Sequence, residues 1–182
     1  MRTLTLGSAL LALALAATPA FSQTAPLAPS ALDQMVTSVT QDPASLETMV
    51  AAAVSTNPTA ARAIVAAMTK AFPTRAPKIA EAAVAALAVN VPAGDLSLAV
   101  SGVLESTVLT LADGRLAKGE LNNAITACLM ATESALTGAG LSREFAQQTA
   151  VAASANLAAR LPSGDIGSAM AAPVGDSKPC GK

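Results

Sequence analysis

A chain of 182 residues with eleven Lys and Arg against twelve Asp and Glu has no basic excess with which to hold nucleic acid or an anionic lipid surface. It is 52% hydrophobic yet 2% aromatic, with no Trp or Tyr, so alanine carries most of the apolar count. Histidine is absent, which removes Ser-His-Asp and Cys-His nucleophile systems, histidine general bases, and every His-ligated zinc, haem or non-haem iron centre.

Residues 1–22 read as an export signal. Arg2 is the only charge before Asp33, Leu4 to Ala17 is apolar, Pro19 ends any helix, and Ala20-Phe21-Ser22 sets small residues around a cleavage point before Gln23. The apolar stretch is shorter than the roughly 20 residues a membrane-crossing helix needs. The expectation is therefore cleavage and release to the periplasm or the cell exterior, with no transmembrane segment in the mature chain. Its most apolar run, Ile79 to Val91, is interrupted by Glu81 and broken at Pro92. Residues 23–29 are expected to form a disordered leader, 30–172 a single helical domain, and 173–182 a flexible tail.

Ser30 is placed to cap a first helix whose Leu32, Met35, Val36 and Val39 share one face. Next, Pro43, Pro58 and Pro73 recur at equal intervals, each followed at the same phase by an apolar pair, Met49-Val50, Ile64-Val65 and Ile79-Ala80. Asp42 and Asn57 precede the first two prolines, a helix-start signal in which the side chain caps and the proline gives up no bond. Each unit reads as a helix of about three turns. The stripe is Leu46, Met49, Val50, Ala53 and Val54 in the first unit, and Ala61, Ile64, Val65, Met68 and Phe72 in the second. The third departs, with Phe72 at the cap position and Pro77 expected to delay the helix. Such a pattern predicts stacked, solenoid-like units.

A Pro-x-Gly-Asp corner occurs twice, at Pro92 to Asp95 and at Pro162 to Asp165. In each, proline is expected to stop one helix, glycine to turn the chain, and aspartate to cap the next. Longer helices follow over about Leu96 to Leu111, with Gly102 as a close-contact point, and over about Gly119 to Thr137. After the Gly138–Gly140 break, Leu141-Ser142 starts another that is anchored by Phe145 and Leu157. No strand-like alternation appears. The expected fold is all-α: an alanine-rich bundle of antiparallel helical hairpins with about six to eight helices. Alanine is the best helix former, but each buried methyl contributes only about 0.8 kcal/mol, so many small contacts must add up.

Residue types bound the chemistry. In an exported chain, Cys128 and Cys180 are candidates for a disulfide that closes a loop of about 50 residues and stabilises by roughly 4 kcal/mol in the chain-entropy model. Asp113-Gly114-Arg115-Leu116-Ala117-Lys118-Gly119-Glu120 resembles the second half of an EF-hand calcium loop. Leu109 and Leu111, however, stand where the first and third ligands should be, leaving too few oxygens. An Asp-Gly turn with Glu120 near the next helix's positive end is the expectation. Lys70, Lys78 and Lys118 read as surface charges rather than half of a Ser–Lys pair. The carboxylates (Asp33, Asp42, Glu47, Glu81, Glu105, Glu133, Glu144) are scattered singly, mostly on polar helix sides. No catalytic, cofactor-binding or metal-ligating set emerges. The reading is a non-catalytic exported scaffold that works through a protein partner or self-association. The alternative is a binding protein for a small apolar ligand between Ala-lined helices.

Overall fold

Proline punctuation sets where the helices begin. The computed structural model describes residues 28–114 and 116–160, and among these are seven α-helices and no strand. The signal, the leader up to residue 27, the second Pro-x-Gly-Asp corner and the tail lie outside the described residues.

The first helix, α1 (Pro29–Gln41), starts one residue ahead of Ser30. Ala28 is the extended N-cap, and Pro29 takes the first helical position, where its missing N–H forfeits nothing. Ser30 therefore lies inside the helix and caps nothing. Three junctions of like backbone follow, at Asp42 (φ −132°), Asn57 (φ −140°) and Phe72 (φ −132°). Each leads into a proline-initiated 3₁₀ turn, Pro43–Ser45, Pro58–Ala60 and Pro73–Arg75, and then into α2 (Leu46–Thr56), α3 (Ala61–Ala71) and α4 (Ala76–Asn90). A residue before proline is driven out of the helical region, so the preceding helix stops, and proline's fixed φ starts the next turn.

Side-chain capping is not what these junctions share. The Asp42 carboxylate accepts from the Ala44 N–H at 3.2 Å, whereas the Asn57 amide oxygen accepts from the Thr59 hydroxyl at 2.7 Å and Phe72 has no polar side-chain atom. Pro77 does not delay α4 either; it occupies the first turn, where no helical hydrogen bond is lost.

A two-residue corner, Val91-Pro92, leads to α5 (Ala93–Asp113). Gly94 and Asp95 already belong to the first turn of α5, so Pro92 is the N-cap, and Asp95 acts as an acid near the helix's positive end rather than as a cap. After the Asp-Gly turn come α6 (Lys118–Gly138), with Glu120 in its first turn, and α7 (Arg143–Arg160). The α6–α7 break is a Schellman motif. Gly140 (φ 86°) donates to the Thr137 carbonyl at 3.0 Å and Leu141 to the Leu136 carbonyl at 3.1 Å, while Leu141 packs on the core. The Ser142 hydroxyl then accepts from the Phe145 N–H at 3.2 Å and caps α7.

The helices form two rows. Each makes its broadest contact with the helix two places along the chain, so α1, α3, α5 and α7 line one row and α2, α4 and α6 the other. In the even row, α2 and α4 run the same way. At their starts the Arg75 guanidinium donates to the Pro43 carbonyl at 2.7 Å, and at their ends the Asn90 amide donates to Ser55 Oγ at 3.2 Å, so α2 and α4 lie parallel. The interior lies between the rows and is centred on α4 and α5. Ile79, Ala80, Ala83, Val84 and Leu87 are fully buried on α4, and Val100, Val103 and Leu104 on α5. Alanine in the α4 stripe lets neighbouring axes come close, and leucine, isoleucine and methionine fill the wider spaces. Phe72 and Phe145 are only half-buried at the margin. By length and composition α5 could cross a membrane, but 56% of its apolar window is buried inside the fold.

Candidate functional site

Along the odd row, α3 and α5 are joined at one end by a polar clasp. Arg62 at the start of α3 reaches across α5 and donates from Nη2 to Glu105 Oε2 at 2.5 Å, and Ser106 Oγ donates to the Arg62 carbonyl at 2.9 Å. Gly102 makes the crossing possible, because a Cβ there would stand 3.0 Å from Arg62 Nε. Glu105, expected on a polar face, is instead 9% exposed against the clasp. A groove of about 500 Å³ opens beside it, lined by Ala61 and Ala99, by Gly102 with the Arg62 side chain lying over it, and by Asp95 and Leu98 from α5 and Asn156 from α7. Leu98 is 78% exposed, a large apolar side chain held out beside the clasp.

At the other end of the same helix pair lies a second cleft, of about 610 Å³, where the C-terminal ends of α3 and α5 meet. Ala66, Ala67, Pro73, Leu111 and Leu116 give it apolar walls, with Lys70 and Asp113 exposed at its edges. Thr69 also lines it and is fully buried, with a hydroxyl that meets no hydrogen-bond partner. This contrasts with eight other helical threonines. Thr107 and Thr132 in the core, and Thr37, Thr40, Thr56, Thr110, Thr126 and Thr137 nearer the surface, each donate to the carbonyl four residues back.

Of the two cysteines, Cys128 is fully buried on α6, and burial pushes its thiol from the ordinary 9.0 up to about 12. Cys180 lies outside the described residues, and with it the proposed bond. Among the described residues no three His, Cys, Asp or Glu side chains converge as a metal site. Lys78 pairs with Glu81 at 2.8 Å on the surface of α4, and Arg143 approaches Glu133 at 3.7 Å between α7 and α6. The fold brings Arg62 to Glu105 and sets Thr69 beside Lys70 and Asp113, and sequence reading had not paired any of these. Spacing within one helix could not reveal them, because each set spans α3 and α5. The one local signal was Gly102 in an otherwise apolar stripe.

No protein-family model, curated protein or solved structure matches this chain.

Proposed function

We propose that this protein is an exported, non-catalytic helical scaffold that binds a partner protein through the α3–α5 groove. The observation that carries the reading is Leu98, 78% exposed in a groove lined by Ala61 and Ala99 and flanked by charge. A large apolar side chain beside a concave strip edged with polar groups has the make-up of an interface anchor. Two parallel helices with Ala61 and Ala99 between them leave room for a third helix beside the Arg62 side chain, and Asp95, which forms no ion pair among the described residues, supplies a carboxylate to the groove. The occupant proposed is an amphipathic helix of a partner protein, with its apolar face on Leu98 and a lysine or arginine opposite Asp95.

The test is a photo-crosslinking amino acid placed at position 98 of the full chain in its native cell envelope, with position 48 on α2 as control. One protein crosslinked from 98 and not from 48, through a helical segment carrying a basic residue, supports the reading. The same set of products from both positions, or a second copy of this chain as the crosslinked species, overturns it.

A further inference from the structure

We propose that the cleft between the C-terminal ends of α3 and α5 binds a small zwitterion with an apolar body, a molecule of amino-acid type. This goes beyond the docking groove and stands on separate residues, so either can fail without the other.

The first observation is the Thr69 hydroxyl. A buried hydroxyl without a partner is destabilising, and the fold's own remedy, a bond to the carbonyl four residues back, is used by eight other threonines but not here. Thr69 lines the cleft, so a ligand in it can supply the missing acceptor or donor.

The charges give the second observation. Lys70 and Asp113 both line the cleft, and among the described residues neither forms an ion pair, although lysines and acids elsewhere on this surface do pair, as Lys78 does with Glu81. The last turn of α5 carries the negative end of that helix's dipole, which adds to Asp113 and favours an ammonium group there. Lys70, in the last turn of α3, is the cation that meets a ligand carboxylate, its full charge outweighing the partial negative end of α3 itself. Between these poles Ala66, Ala67, Leu111 and Leu116 offer apolar wall, and Thr110, whose hydroxyl hydrogen is already given to the Ser106 carbonyl, still has lone pairs to accept with. A volume of about 610 Å³ lies within the range of small-molecule sites. A ligand with only one charge would leave either Lys70 or Asp113 unanswered, and a neutral hydrocarbon would leave Thr69 unanswered as well.

The experiment titrates the purified chain with L-leucine, isovalerate, isoamylamine and isoamyl alcohol, followed by NMR shifts of backbone amides and by calorimetry. L-Leucine is expected to bind one per chain, shifting amides of residues 66–73 and 110–116, at least tenfold tighter than the other three probes. Lys70→Ala and Asp113→Ala, both exposed, are each expected to weaken leucine at least tenfold without change in the melting temperature. Thr69→Val keeps the shape and removes the orphan hydroxyl, so it should keep or raise the melting temperature while weakening leucine. Absence of saturable leucine shifts at those amides, equal binding of the alcohol, or unchanged affinity in both charge variants overturns the proposal.

Discussion

Cys128 is fully buried on α6, and its thiol titrates near 12 because a thiolate there would lose its hydration. Since the folded value is raised, an unfolded chain sheds this proton from about pH 9 while the native chain holds it. The stabilising contribution is whole below pH 9 and is lost between pH 9 and about 12, at about 1.4 kcal/mol per pH unit. Urea unfolding under reducing conditions at pH 8 and pH 10 should therefore show the wild type losing about 1.4 kcal/mol more than Cys128→Ala. Equal losses in the two proteins would remove burial of this thiol as the cause. Two glycines make a paired test at the same scale. Gly140 has φ 86° and nothing within 4 Å of a new Cβ, so Gly140→Ala meets backbone strain alone and should cost about 1 kcal/mol. At Gly102 the new methyl would meet the flexible end of Arg62, and alanine's better helix propensity offsets the shift. Gly102→Ala should thus be near neutral in thermal unfolding, with the Arg62–Glu105 contact displaced.

At the scale of elements, the repeated proline junction makes the starts of α2, α3 and α4 alike. Proline acts in both states of the chain: it halts the preceding helix in the native fold and restricts the unfolded one. Pro58→Ala should lower stability by about 0.4–1 kcal/mol through the unfolded state, with helical content by circular dichroism unchanged; a rise in stability would contradict this. These elements were legible in the sequence because their causes are local. Pro43, Pro58 and Pro73 mark the starts, Gly140 marks a stop, and the apolar spacing of Leu46, Val50 and Val54 names the buried face. Where the reading erred, a stronger local rule had won. Pro29 overrode Ser30, and Pro92 alone made the corner assigned jointly to Gly94 and Asp95.

At the scale of the whole molecule, the two-row arrangement decides which helices meet, and no local pattern announces it. Sequential neighbours touch less than alternate ones, so α3 and α5, separated by all of α4, become the pair that shares the Arg62–Glu105 clasp, the Leu98 groove and the Thr69 cleft. The residue types of both candidate sites were visible in the chain. Their juxtaposition was not, because it depends on the packing of parallel helices across long sequence separations. That arrangement also gives the protein two separate concave surfaces at opposite ends of one helix pair, the ones proposed above for a partner helix and for a small zwitterion.

The most direct test of the scaffold reading is the dissociation constant between the purified chain and the helical segment crosslinked from position 98, compared with Leu98→Asp. An interface anchor contributes about 2 kcal/mol or more, so the variant should bind at least tenfold more weakly while its melting temperature stays the same, as expected for a side chain 78% exposed. Equal affinity in the two proteins would contradict the account.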